Sequence, residues 1–167
     1  MVPFASVATR FRRAARDIAR YYGKELNFEV SGEQTEIDKK LLDDLLTPIT
    51  HLIRNAVAHG VETPDERRVL GKPVRGTVSL EAYHLGNSVV LEVYDDGAGI
   101  DPRAVGRRAL ELGLIGREEF DSADDETLRE LIFRPGFSTA AELTETAGRG
   151  FGLDIVAKRL KEIKGTL

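Results

Sequence analysis

The chain has 167 residues, 41% of them hydrophobic and 31% charged, with a formal net charge of −4 and no cysteine. That composition suits one globular domain with its own core, and it excludes a disulfide framework, a thiolate zinc site and the strongly basic footprint of a nucleic-acid binder. No apolar run approaches the ~20 residues that cross a bilayer, and Met1–Asp17 has no hydrophobic leader core, so a cytoplasmic domain without membrane insertion is expected.

From Val7 to Tyr22 the apolar residues Phe11, Ala15, Ile18 and Tyr22 recur at helical spacing, with Arg10, Arg12, Arg13, Arg16 and Arg20 on the other faces. Those arginines could meet an acidic partner, but a solvated helix face accounts for them more simply. Gly23 ends the helix, and Leu26–Val30 alternates as a half-buried strand. A second helix is predicted from about Asp38 to His59, burying Leu41, Leu45, Ile49, Leu52 and Ala56. Pro48 inside it predicts a kink or break near Thr47. Thr63-Pro64-Asp65-Glu66 has the form of a capping box with proline at the first helical position.

Thr77–Tyr83 and Ser88–Tyr94 alternate on either side of Leu85-Gly86-Asn87, which predicts an antiparallel hairpin. Helices follow over Pro102–Leu112 and Asp125–Phe133. A polar loop over Ser138–Gly148 leads to a last amphipathic helix at roughly Gly152–Ile163. The sequence contains no repeat or linker. The expected fold is α+β, a two-layer sandwich in which helices cover one face of a mixed or antiparallel sheet, as a single domain over residues 1–167.

Three clusters carry chemistry. His51, Asn55 and His59 are spaced by four and share a helical face beside the buried stripe. An amide oxygen suits Mg²⁺, and histidines at this spacing could also bind zinc, although no third ligand set accompanies them. The polar side of a helix is the plainer alternative. Asp95-Asp96-Gly97-Ala98-Gly99-Ile100 follows a strand directly. A carboxylate there can accept a hydrogen bond from an exocyclic amino group, and glycines let backbone approach a flat ligand. An ordinary Asp-Gly turn would look the same. Gly148-Arg149-Gly150-Phe151-Gly152-Leu153-Asp154 opens the last helix, where bare N–H groups and the helix dipole favour phosphate. It lacks the Gly-Lys-Ser/Thr of a P-loop. The order of the three clusters is more specific than any one of them.

Together they resemble the ATP-binding domain of the GHKL superfamily of gyrase, Hsp90, histidine kinases and MutL, and within it the CheA-like chemotaxis histidine kinases. HLIRNAVAHGVE is similar to the N box, VYDDGAGID to the G1 box, FRPGFST to the F box and GRGFGLDIV to the G2 box; the likeness runs upstream to VPFASVATRF. The resemblance implies the GHKL (Bergerat) fold, with ATP and Mg²⁺ as cofactors. Asn55 would ligate the metal and Asp95 would read the adenine amino group. Gly97 and Gly99 would shape the adenine pocket, with Ile100 as an apolar wall. Gly148, Arg149, Gly150, Gly152 and Leu153 would wrap the phosphates, and Phe137, Ser138 and Thr139 would begin a lid. His51 and His59 would lie near phosphates and metal.

Hydrolysing relatives carry a glutamate where this chain has His51, so the resemblance favours phosphoryl transfer over water attack. Positioning and charge neutralisation by Mg²⁺, amide N–H groups and the lid would then supply most of the catalysis, with His51 and Asn55 as the implied catalytic residues. The implied activity is transfer of the ATP γ-phosphoryl group to a histidine on a separate phosphotransfer domain of the same or a partner kinase. Flanking domains would join a receptor and coupling-protein array. The alternative is a degenerate nucleotide-binding module that scaffolds such an array without kinase activity. Ala58 stands where the family has an aspartate, and Ala98 where it has a basic residue; both are expected to tune the site rather than abolish it. Lys164-Gly165-Thr166-Leu167 resembles the start of a further strand, so the C-terminal strands of the family sheet are expected to be missing from this chain.

Overall fold

The computed structural model describes residues 1–137 and 153–167. The chain divides into two compact units, Met1–Gly99 and Ile100–Leu167.

The first unit runs β1 (Val2–Pro3), α1 (Ala5–Tyr21), β2 (Leu26–Ser31), β3 (Glu36–Ile37), α2 (Lys39–Asn55), a π-helical turn over Ala56–Gly60, α3 (Pro64–Val69), β4 (Gly76–Leu85) and β5 (Ser88–Asp95). The α1 stripe buries Ala8, Phe11, Ala15, Ile18 and Ala19. Tyr22 lies past the helix end and is 38% exposed, so the stripe closes one turn earlier than its spacing predicted. In α2 the buried line is Leu42, Leu45, Ile49 and Ile53, continuing to Ala56. Leu41 and Leu52, expected inside, are only half-buried at its margin. A stripe two residues wide leaves one-residue ambiguity that tertiary packing decides.

The predicted break near Thr47 does not occur, because α2 continues through Pro48. The carbonyl deprived of a donor belongs to Asp44, an exposed residue, so its loss costs little at that position. The irregularity comes later. Val61 N–H reaches the Ala56 carbonyl at 2.8 Å, five residues back, and closes the π turn. The capping box forms as expected. Thr63 N–H donates to Glu66 Oε2 at 2.8 Å and the Thr63 hydroxyl accepts from Glu66 N–H.

The sheet has strand order β2-β4-β5, with β2 parallel to β4 and β4 antiparallel to β5. It is therefore mixed. The β2–β4 crossover carries both α2 and α3, the length that a parallel connection needs. The predicted hairpin is present, and its two-residue Gly86-Asn87 turn puts Gly86 at φ +58. β1 and β3 form a separate short antiparallel ladder. The register places Phe28, Val78, Leu80, Ala82, Leu91 and Val93 on the sheet face that packs under the helices. Asp95 ends that same row, paired with Val78. A hydrophobic row thus terminates in a carboxylate.

The second unit comprises α4 (Pro102–Glu111), α5 (Arg117–Ser122), α6 (Asp125–Glu130) with a closing 3₁₀ turn at Leu131–Phe133, and α7 (Leu153–Glu162). Its core gathers Ala109, Ile115, Leu128 and Leu131, with Val105, Phe120 and Phe137 against them. No helix among the described residues is long and apolar enough to cross a membrane.

Candidate functional site

Asp95 is held by backbone. The Gly97 N–H donates to Asp95 Oδ1 at 2.9 Å, while Asp95 Oδ2 accepts no hydrogen bond from a described residue. A Cβ on Gly60 would lie 2.8 Å from the Asp95 carboxyl carbon and both oxygens. A Cβ on Gly97 would lie 1.9 Å from the Gly60 carbonyl oxygen. The end of the π turn and the turn after β5 therefore touch backbone to backbone, and Ala98 N–H seals the contact by donating to Gly60 O at 3.0 Å. Only glycine at both positions lets this junction close around the carboxylate.

The other wall is the end of α2. Asn55 closes the helix and is half-buried, as is His51 one turn earlier; His59 sits inside the π turn and is exposed. The regular spacing by four therefore ends at Asn55, where the backbone widens. Lys24, from the loop before β2, caps this widened turn. Its Nζ donates to the carbonyls of Val57, Ala58 and Val61 at 2.9, 2.6 and 2.6 Å. Burial pushes the Lys24 ammonium below its ordinary pKa, against the opposing pull of Glu66 and Glu62.

Behind Asp95 stands a cluster of charge. Arg67 is 1% exposed and Glu62 9%. Arg67 Nη1 donates to Glu62 Oε2 at 2.8 Å, Nη2 to Asp96 Oδ2 at 2.9 Å and Nε to the Pro73 carbonyl at 2.6 Å. Lys72 Nζ donates to Glu62 Oε1 at 2.5 Å and to the carbonyls of Asp96 and Gly97 at 3.1 and 3.0 Å. Burial would raise the Glu62 pKa, but hydrogen bonds from Lys72 and the Glu62 backbone, the Lys72 charge and the hydrogen bond from Arg67 outweigh it and hold the carboxyl below its usual range. Sequence inspection did not single out Glu62, Arg67 or Lys72. Nothing in their spacing distinguishes them from solvated charges around a short helix, and only the fold buries them.

The structure brings His51, Asn55, His59, Asp95, Gly97 and Gly99 into the first unit; Ile100, 51% exposed, and Leu153, the first residue of α7, belong to the second. Ser138, Thr139, Gly148, Arg149, Gly150 and Gly152 lie outside the described residues. His84, beside the hairpin turn, is exposed, with Nε2 3.0 Å from the Glu36 carbonyl oxygen. Among the described residues no group of three histidines or carboxylates could hold a metal by itself. A single amide oxygen from Asn55 fits Mg²⁺, which keeps several waters and leans on phosphate oxygens. An acceptor at the end of β5, set against bare glycine backbone, fits the edge of a flat base bearing an amino group.

The model of the family described as histidine kinase-, DNA gyrase B-, and HSP90-like ATPase matches residues 42–167. Over all 167 residues the chain is 42% identical to the chemotaxis protein CheA of Bacillus subtilis, covering 25% of that protein, and 42% identical to that of Borreliella burgdorferi, covering 19%. It is 39% identical over 167 residues to the sensor histidine kinase CheAY of Helicobacter pylori, covering 21%. The chain thus spans a quarter or less of the length of these curated relatives.

Proposed function

Because this chain belongs to the histidine kinase-, DNA gyrase B-, and HSP90-like ATPase family, we propose that it is the ATP-binding domain of a CheA-like two-component histidine kinase. The observation that carries the proposal is the Asp95 carboxylate at the end of β5, one oxygen engaged by Gly97 N–H and the junction around it closed by glycine backbone. Asp95 accepts a hydrogen bond from the adenine amino group. Asn55 holds Mg²⁺ through its amide oxygen, and the metal supplies charge neutralisation on the phosphates. His59 and His51, on the same stretch of chain as Asn55, position the nucleotide from that side. Gly99 and Ile100 flank the base. Ser138, Thr139, Gly148, Arg149, Gly150, Gly152 and Leu153 are assigned to the phosphates by their resemblance to the family motifs.

The reaction is phosphoryl transfer. A ring nitrogen of the acceptor histidine forms a bond to the γ-phosphorus as the bond to the bridging oxygen of ADP breaks, and ADP leaves. His51 supplies no carboxylate to orient a water, which favours a protein acceptor. That acceptor is a histidine phosphotransfer domain of the same or a partner kinase, in keeping with the small share of its relatives that the chain spans. The work is done in the cytoplasm, and flanking domains connect it to a receptor and coupling-protein array.

The test is a calorimetric titration of ATP with Mg²⁺, followed by transfer of labelled γ-phosphate to a supplied histidine phosphotransfer domain. Asp95→Asn is expected to weaken binding by about 1–3 kcal/mol, since it replaces a charged acceptor. Asn55→Ala is expected to remove the magnesium dependence. Binding that ignores both substitutions would sink the site assignment. Binding without transfer to any histidine domain would favour the scaffolding alternative.

A further inference from the structure

The charged cluster behind Asp95 has more order than packing requires. Asp96 Oδ1 receives Thr77 N–H at 2.9 Å as well as Arg67 Nη1 at 3.2 Å, so the Asp96 side chain is tied to β4 and to α3 together. Glu62 joins Arg67 and Lys72 from the other side. Two carboxylates face two cations, and the lattice carries no net charge of its own. A buried guanidinium is tolerated only when its donors are met, and here they are met by Glu62, Asp96 and the Pro73 carbonyl.

The direction of the Lys72 bonds matters most. Its ammonium grips the carbonyls of Asp96 and Gly97, two successive peptides. The peptide that carries the Asp96 carbonyl also carries the Gly97 N–H, and a planar trans peptide aims these groups in opposite directions. That N–H is the donor to Asp95 Oδ1 at 2.9 Å. The next peptide carries the Gly97 carbonyl and the Ala98 N–H, and that N–H is the donor to Gly60 O at 3.0 Å. One ammonium therefore sets two peptide planes. The far side of the first holds Asp95 Oδ1, and the far side of the second locks the turn to Gly60. Polarising a carbonyl also strengthens the N–H of the same peptide as a donor.

We propose that Lys72 is a positioning residue for base recognition, acting through the Asp96 and Gly97 peptides to fix which Asp95 oxygen is presented to the ligand, while Arg67 holds the Asp96 side chain beside them. Neither residue touches the nucleotide. The inference rests on the proposal that Asp95 reads the amino group of adenine, and adds to it the device that aims the carboxylate. With Oδ1 engaged by Gly97 N–H, Oδ2 is the oxygen left for the base. Without Lys72 the two peptides lose the anchor on their carbonyl side and keep only their N–H bonds, so the carboxylate is held less firmly in direction, while contacts to the phosphates are untouched. A residue that merely stabilises the fold would weaken every nucleotide alike.

The experiment compares ATP with purine riboside triphosphate, which lacks only the 6-amino group. Affinities with Mg²⁺ are measured on the parent chain and on Lys72→Met, Lys72→Gln and Asp95→Asn, with melting temperature recorded for each. Both residues bond Glu62, but Lys72 is the better position to change, being one-third exposed where Arg67 lies in the core at 1%. The parent should prefer ATP. In Lys72→Met that preference should fall on the order of tenfold, the scale of one charge-assisted hydrogen bond, with affinity for the deaminated analogue nearly constant. Lys72→Gln, which keeps an uncharged amide donor, should fall between. Equal loss of both nucleotides in Lys72→Met, or a preference unchanged in both Lys72 variants while Asp95→Asn abolishes it, overturns the inference alone. A preference that survives Asp95→Asn overturns the base-reading assignment and this inference with it.

Discussion

A methyl group on Gly97 would meet the Gly60 carbonyl oxygen at 1.9 Å, whereas one on Gly60 would meet the Asp95 carboxylate at 2.8 Å. The difference lies in what must move. Gly97→Ala sets a side chain against backbone, so the junction between the π turn and the turn after β5 has to open. Gly60→Ala sets it against the end of a side chain, which can swing away. Gly97→Ala is therefore expected to destabilise the chain by about 1–3 kcal/mol and to abolish nucleotide binding. Gly60→Ala should leave the melting temperature nearer the parent value but weaken ATP, because it displaces the acceptor itself. Thermal melts beside ATP titrations check this. Equal losses of stability in the two variants would contradict the geometry.

At the scale of elements, the π turn at Ala56–Gly60 is held from outside its own backbone. Lys24 gathers three of its neighbouring carbonyls, from Val57, Ala58 and Val61. Lys24→Met should cost about 1–3 kcal/mol through carbonyls left without a donor, and should speed hydrogen exchange at the Val61 amide, which closes the turn. Exchange at Val61 as slow as in the parent would show that the turn stands without Lys24. This also explains what the sequence could reveal. The capping box at Thr63, the hairpin around Gly86 and the stripe of α1 are local patterns, and their residues announce them. The π turn is braced by a lysine more than thirty residues away, and no helical period marks it. α5 is too short to show a period at all. Asp95 was legible because a strand, a carboxylate and two glycines are adjacent in the chain. Arg67, Glu62 and Lys72 were not, since a charged residue beside a short helix reads as solvated until tertiary structure covers it.

The molecule as a whole carries this buried charge into its response to acid. Glu62 is held below its ordinary pKa of 4.5 in the fold, because hydrogen bonds from Lys72, the Glu62 backbone and Arg67, with the Lys72 charge, overcome the cost of burial. In the unfolded chain the same carboxyl takes its proton near the ordinary value. Above that pH Glu62 is ionised in both states and its contribution to stability is complete. As pH falls below it, the unfolded chain binds the proton first, and stability drains until the folded carboxyl is protonated too. The loss can approach about 1.4 kcal/mol per pH unit while the two states differ by one proton. Glu66, lowered first by the backbone hydrogen bond from Thr63, and Asp124, lowered first by the Thr127 hydroxyl, act with the same sign. Urea unfolding followed from pH 7 to pH 3 should therefore show a plateau and then a steep fall. Glu62→Gln should lower the plateau by roughly 3 kcal/mol, because Arg67 and Lys72 lose a buried partner, and should flatten the fall that follows. Glu66 and Asp124 would account for the slope that remains. An acid slope as steep in Glu62→Gln as in the parent would place the sensitivity in exposed carboxylates and leave the buried lattice without a part in it.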